Sequence, residues 1–507
     1  MIVRGRERRR DLRLDVDAAV VGSGAGGAMM ARELSARGLR VALLEMGGHH
    51  RPADFTAVEA DMLEELFQER GARATRDLSV RVLQGRGVGG STVHNTCLCK
   101  RAPAELLARW KREHAVSGAS PAELDPAYAA TEQELGVREL GPDDLNRNNA
   151  LFRRGVEALG YRGGFLHHNR AGCRGAGYCE LGCPFDAKQN ALKVLVPAAL
   201  EHGAWVVSDA RVERVETRRG RARGVSGSLL DALGRPHARF EVDARVVCLA
   251  ASAVGSAALH ARSGLPDPSG LAGTTLRLHP GGVVAGLFDE EVVGWRGVPQ
   301  SYECTEFLSF AEDAAKRRVW LVPVFAHPIG TAVQLSGFGA AHGELMRRYR
   351  HVAAVTAMVH DTTRGRVRVE ASGRIRIDYW PNHDDRAQLA LGLREGARIL
   401  LAAGARRVLV PFEPDPLWID DAAGLAAIDA AAIRRHRLPL TAVHPMGTLP
   451  LGDDPARAVV DSRGEHHAVG GLFVCDGSLF PTSLGVPPQL SIYSFARHLA
   501  PHVAAAC

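Results

Sequence analysis

Two glycine-rich stretches mark places where backbone, rather than side chain, meets a ligand. In VGSGAGGAMMARELSARGLRVALLEMGG (21–48), Gly22, Gly24 and Gly27 carry GxGxxG spacing between an apolar run and an amphipathic one. Such glycines turn the chain tightly and bring a helix N-terminus, with its unpaired amides and dipole, against a pyrophosphate. Glu45 ends the second apolar run, where a carboxylate accepts hydrogen bonds from a ribose diol. The second stretch, GRGVGGSTVHN (85–95), sets Gly85, Gly87, Gly89 and Gly90 ahead of His94 and Asn95. Glycine there permits close approach to a phosphate or a ring. A nicotinamide cofactor needs one crevice, whereas a long flavin needs a second wall beside its ring, so the pair reads as a site for FAD.

These segments need elements to hold them. Asp17 to Gly48 reads as strand, glycine turn, helix and strand. Residues from about 100 to 165 read as polar helices, and ARVVCLAASAVGSAALHARSGL (244–265) repeats strand, turn and helix. RGRVRVEASGRIRIDYW (364–380) alternates with period two about a glycine turn, a hairpin signature. The run beginning DDRAQLALGLREGARILLAAG (384–404) predicts a helix of about 20 residues. The expected fold is α/β: a Rossmann-like doubly wound FAD-binding domain plus an antiparallel-sheet substrate domain with helices. The expected cofactor domain is discontinuous, over 1–165, 166–274 (with a cysteine-bearing insertion at 166–190) and 436–507. The substrate domain is expected over 275–435.

Composition bounds the rest. With 507 residues the chain exceeds the ~100–250 of one domain. Its 46% hydrophobic and 24% charged content is that of a globular protein, and 55 glycines fit many ligand-facing turns. The net charge of +6 is spread along the chain, giving no nucleic-acid footprint. The one dense basic run, RGRERRRDLR (4–13), reads as a solvated arm; the polar DLRLD after it argues against twin-arginine export. No apolar run reaches the ~18 residues of a membrane span. Nine cysteines, an odd count without a leader sequence, point to free thiols in a reducing, cytoplasmic setting. Cys97 and Cys99 alternate as packing residues on an expected strand, and Cys248 and Cys475 fall in apolar strands. Cys173, Cys179 and Cys183 stand ahead of Pro184 with spacings that admit three readings. They are free thiols or include a disulfide, they hold an iron–sulfur cluster, or they bind zinc completed by His167 or His168.

With both glycine clusters in view, the chain resembles the glucose-methanol-choline (GMC) oxidoreductases, FAD enzymes that oxidise alcohols. The resemblance rests on the N-terminal segment, on GRGVGGSTVHN, and on a C-terminal stretch holding HPMGTLPLGDD (444–454) and VCDGSLFPTSLGV (474–486). LRLHPGGVVAGLF (276–288) and CRGAGYCELGCPFDAKQNALK (173–193) place it nearest the cholesterol oxidase and long-chain alcohol oxidase branch. The resemblance implies that Gly22, Gly24, Gly27 and Glu45 hold the ADP half of FAD, with Val212 at the adenine. Gly89, Gly90, Ser91 and Asn95 then line the flavin, Asp476 and Gly477 meet the ribityl-pyrophosphate stretch, and Pro488 and Gln489 complete the cofactor site. It implies covalent attachment of the flavin 8α-methyl carbon through His94; the bland alternative is simple packing there.

Hydride transfer from a carbinol carbon requires the hydroxyl proton to leave at about the same time, hence a base or hydrogen-bonding imidazole. His444, in TAVHPMGT (441–448), stands where the family has its catalytic histidine. The chain departs from the family at GVPPQ (485–489), where Pro487 replaces an asparagine and offers neither donor nor side-chain acceptor. Gln489 and His327 are the candidate replacements. The implied substrate is an apolar alcohol such as a long-chain alcohol or sterol. The implied electron acceptor is oxygen, a quinone or a carrier protein. The rivals are a dehydrogenase that does not use oxygen and a flavoprotein that has lost alcohol oxidation.

Overall fold

The computed structural model describes every residue except 312–316, 325–326 and 430. Its first sheet is built from unbroken apolar runs. Ala18–Val21, Val41–Leu44 and Val246–Leu249 are at most 5% exposed, as expected of parallel strands covered on both faces. The order is Ile2–Arg4, Trp205–Ser208, Val41–Leu44, Leu12–Val21, Pro236–Leu249, Arg221–Leu230, Ala210–Arg218, with Leu472–Val474 also pairing with Pro236–Leu249. Pairing is parallel from Ile2–Arg4 to Pro236–Leu249, with Ala18 opposite Val41 and Val20 opposite Cys248, and antiparallel beyond. The helices Ala25–Ser35 and Gln489–Ala506 pack together. This is the doubly wound sheet the sequence predicts.

The basic start is not a solvated arm. Ile2–Arg4 forms an edge strand on Trp205–Ser208, and Arg6 pairs with the buried Asp209 at 2.7 Å. Tertiary pairing overrides the charge of the segment.

The second sheet is antiparallel along Leu417–Ile419, Arg407–Val410, Gly281–Leu287, Val352–Val359, Val319–Pro323, Tyr302–Cys304 and Gly163–Phe165. Leu440–Ala442 joins it at Gly281 and pairs in parallel with Val80–Val82. Three of its strands therefore come from outside 275–435. The helix His383–Ala402 lies across one face. Gly392 allows this, since a Cβ there would sit 2.6 Å from both Ala357 Cβ and Val319 Cγ1. The predicted hairpin is Arg366–Val369 with Ile375–Asp378. Among the described residues no helix is long and apolar enough to cross a membrane.

Candidate active site

The first glycine turn follows the Leu12–Val21 strand and opens the helix Ala25–Ser35, with Gly24 at its N-cap. Gly22 has φ +99°, and a Cβ on Gly27 would lie 1.8 Å from Gly22 O. The second cluster folds back onto this turn. Gly90 has φ +53°, and a Cβ there would come within 2.8 Å of Gly24 Cα. The third segment closes from the other side, where a Cβ on Gly26 would meet Cys475 O at 1.8 Å. Asp476, next in chain, accepts from Ser256 Oγ (2.6 Å) and Ser478 N (2.8 Å), which fixes it beside Gly477. Burial raises the Asp476 pKa and these hydrogen bonds oppose the rise. Backbone from three distant stretches thus converges, leaving bare peptide where a phosphate or ring can approach.

Glu45 is held by the protein's own donors. Its carboxylate accepts from Ser23 N (3.2 Å), Ser23 Oγ (2.8 Å), Gly47 N (2.9 Å) and Gly87 N (3.2 Å). Four donors fill a carboxylate, so a ribose hydroxyl has to exchange with one of them. Ser23 Oγ also accepts from Gly89 N at 3.0 Å, and together the two side chains tie the glycine clusters to each other. Val212 lies in the strand whose first residue donates Ala210 N–H to Glu45 O at 2.8 Å, at the acid end of the cradle.

His94 is buried with its ring 4.1 Å from that of Phe67, and its Nε2 has no hydrogen-bond partner among the described residues. Burial, aided by the Lys188 charge, pushes its pKa down to about 3, so the imidazole is neutral. Lys188, unremarked in the sequence, is buried and donates to the carbonyls of Val93, Asn95 and Cys179. Ser91 Oγ accepts from Gly85 N (2.8 Å), which shapes the second cluster. Asn95 Nδ2 donates to Gln489 Oε1 (2.7 Å), and Gln489 Nε2 donates to Leu98 O (2.6 Å). Gln489, in the first turn of a helix capped by Pro488, is thus occupied by protein partners. Cofactor fit rests on this chain's own features: glycine turns packed more closely than a Cβ at Gly22, Gly26, Gly27 or Gly90 would allow, and an orphaned buried imidazole.

His444 follows the strand Leu440–Ala442. Two residues on, Met446 and Arg277 exchange backbone hydrogen bonds (Arg277 N to Met446 O 2.9 Å, Met446 N to Arg277 O 3.0 Å). In antiparallel register this sets His279 opposite His444, and their Nδ1 atoms stand 3.2 Å apart with the rings at 86°. His279 Nε2 accepts from Gly485 N at 2.8 Å. His279 has φ +51°, held by Asp361, which accepts from His279 N (3.2 Å), Leu278 N (3.1 Å), Ser483 Oγ (2.7 Å) and Tyr379 OH (2.8 Å). Burial lowers the His444 pKa to about 3 and that of His279 well below its ordinary value, so both rings are neutral near pH 7. A Cβ on Gly477 would lie 3.5 Å from Pro445 O, which brings the His444 loop against the Asp476–Gly477 turn.

His327, the other candidate for the missing asparagine, stacks on Tyr178 with centroids 6.0 Å apart. His279 is the residue that sequence reasoning missed; it lay unexamined in LRLHPGG, and only the 277–446 ladder reveals its partner.

All nine cysteines are free. Cys97 and Cys99 are buried as expected, but irregular chain with one bridge, Leu98 to His168, replaces the expected strand, and Cys97 has φ +69°. Cys475 lies just past the strand Leu472–Val474 instead of within it. Cys173 is exposed, Cys179 and Cys183 half-buried, and among the described residues no three His, Cys, Asp or Glu side chains form a group able to hold a metal. Cys183 Sγ accepts from Ala187 N and Cys173 Sγ from Gly175 N, which are local turn contacts.

A doubly wound sheet with converging glycine turns of dinucleotide-binding type, joined to an antiparallel sheet that supplies an imidazole, is the arrangement of an FAD-binding oxidoreductase. Family models described as GMC oxidoreductase match residues 63–281 and 361–496, and the chain belongs to that family. It is 36% identical over 490 residues to an uncharacterised GMC-type oxidoreductase of Mycobacterium tuberculosis, covering 96% of this chain and 75% of that protein. A long-chain-alcohol oxidase of Arabidopsis thaliana is 27% identical, over 98% of this chain and 68% of its own length. The crystal structure of pyridoxine 4-oxidase from Mesorbium loti shares the fold, with a TM-score of 0.72 at 19% identity over 96% of this chain and 98% of that one.

Proposed function

We propose that the protein oxidises an alcohol, and that His444 handles the substrate hydroxyl. The observation that carries this reading is the neutral imidazole pair His444 and His279, seated against the glycine-walled Asp476–Gly477 turn. Bound FAD supplies the hydride acceptor at its N5. The protein does the rest. The glycine segments position the cofactor, Asp361 and Gly485 hold His279, and His279 holds His444 with Nε2 left for a substrate oxygen. Pro487 contributes no hydrogen bond.

Apolar side chains lie on the face of the second sheet near the His444 loop, around a void much smaller than a long-chain alcohol or sterol. Between the second sheet and the helix Pro328–Gln334 lies a cavity of about 70 Å³, lined by Val283, Ala285, Val324, Leu335, Val352 and Leu409. Gln334, which also lines it, donates Nε2 to Thr441 Oγ1 at 3.2 Å, three residues before His444. The likeness to a long-chain-alcohol oxidase supports an apolar alcohol as the substrate class.

The test is anaerobic mixing of the FAD-loaded protein with a panel of alcohols, followed by flavin absorbance. Bleaching by aliphatic or sterol alcohols supports the reading, and an unchanged spectrum across the panel sinks it. Readmitting air then distinguishes oxygen from another acceptor, since only an oxidase recovers colour while forming peroxide. The neutral, orphaned His94 Nε2 supports covalent attachment of the flavin there. Acid precipitation should leave colour in the pellet, and a colourless pellet excludes the bond.

A further inference from the structure

The hydrogen bonds around His279 determine more than its position. Gly485 N–H has only a donor to offer, so the His279 Nε2 that it meets at 2.8 Å must carry the lone pair. A neutral imidazole with a bare Nε2 has its proton on Nδ1. That proton points along the 3.2 Å contact to His444 Nδ1, which therefore accepts. His444, neutral as well, then bears its proton on Nε2. Both tautomers are assigned here from the network. The opposite arrangement would set a His279 Nε2–H against Gly485 N–H, two donors facing each other in a buried place.

We infer that His279 is a positioning residue that fixes His444 as a hydrogen-bond donor: the substrate oxygen meets an N–H at His444 Nε2 and not a lone pair. This rests on the assignment of His444 above and sharpens it. The donor holds the hydroxyl oxygen and orients the carbinol hydrogen toward the hydride acceptor; the hydroxyl proton, which His444 in this tautomer cannot take, passes to water as the carbonyl forms. It also accounts for tolerance of Pro487, because His444 in this tautomer supplies a donor to the oxygen.

The backbone is built for this task. His279 is kept at φ +51° by two amides on Asp361, and the same carboxylate anchors Ser483, two residues before the Gly485 donor. One buried side chain thus sets both the imidazole and the N–H that fixes its tautomer.

Histidine-selective ¹⁵N labelling of the FAD-loaded chain reads the tautomers directly by long-range nitrogen–proton correlation. The His444 signals are identified by their loss in His444→Gln, and those of His279 by their loss in His279→Asn. The expected pattern is protonated Nε2 and bare Nδ1 on His444, with the reverse on His279. A protonated Nδ1 on His444 overturns the inference, whatever the alcohol panel shows. A correct tautomer in a protein that no alcohol bleaches would instead fail the functional reading alone.

Two variants add a second readout. His279→Ala should mix the His444 tautomers and lower kcat by about 10²-fold, the low end of what loss of one positioned donor costs, with KM changed less than about threefold. His279→Asn keeps a side-chain N–H and tolerates the left-handed backbone, so it should recover most of that loss. An unmixed His444 tautomer in His279→Ala overturns the inference. If that variant does not fold, the labelled parent protein decides alone.

Discussion

At the scale of single residues the site depends on a few groups with no alternative. His444→Ala removes the imidazole from the substrate oxygen and should slow anaerobic flavin reduction by about 10²–10³-fold, the range for loss of one positioned hydrogen-bond donor. Stopped-flow absorbance measures it, and a loss below tenfold would remove His444 from the chemistry. Gly485 is the second such position. Its φ is +71°, and a Cβ would lie 2.7 Å from Phe310 Cε1 and 2.9 Å from His360 Cγ. Gly485→Ala combines backbone strain with overpacking and should cost about 2–4 kcal/mol in urea unfolding. What the sequence shows at this scale follows from spacing. GxGxxG, the second glycine cluster and HPMG are local patterns, and the structure brings those segments together. His279 was not legible, because its significance is a strand register between residues 277 and 446. Glu45 was legible as a buried acid but not as a bridge, since its partners Ser23 and Gly87 lie far from it in sequence.

At the scale of elements, buried charge holds three helices together beneath the cradle. Arg497 on the C-terminal helix pairs with Glu33 on Ala25–Ser35 at 3.0 Å and with Glu134 on Pro121–Glu134. Burial works to raise the Glu33 pKa, but Arg37, Arg497 and Arg32 together hold it below its ordinary value. Arg497→Met keeps the stem; Glu33 retains Arg32 and Arg37 and Glu134 retains Arg32, so the loss should be about 1.5–3 kcal/mol, that of a charged hydrogen bond and not of a stranded buried charge. Thermal unfolding of the variant should show it, and a melting temperature indistinguishable from the parent's, against the shift such a loss produces, would show the cluster to be well hydrated. Elements were the most legible level. The long helix His383–Ala402, the Arg366–Asp378 hairpin and the parallel core strands follow directly from periodicity. The Ile2–Arg4 strand did not, because six arginines within residues 4–13 mask a backbone that finds its partner only through folding.

At the scale of the whole molecule, acid sensitivity is built in. His94, His279, His360 and His466 are each less than 10% exposed, and burial first of all lowers every one, to about 3, well below the ordinary value, to about 4 and to about 4. Such a group binds its proton more readily in the unfolded chain. The stability it contributes is complete above the unfolded value of about 6.5 and is lost as pH falls from there toward the folded value. Glu180, raised by burial to about 7, acts in the opposite sense over part of that window, as do Glu45, Asp361 and Asp476, which burial also raises; His168, His327 and His444, lowered by burial as well, keep the balance with the imidazoles. Urea midpoints should therefore fall steadily between pH 6.5 and 4.5, and a flat profile would show that these rings protonate in the native state.

The carboxylate of residue 45 and the hydroxyl of residue 23 fasten the two glycine turns to each other like a buckle. Any nucleotide that binds there meets two turns whose spacing is already set. Loosening the fastening by Ser23→Ala should therefore weaken FAD retention without removing any backbone group that the turns themselves present, which dialysis of the loaded protein would read as faster loss of colour.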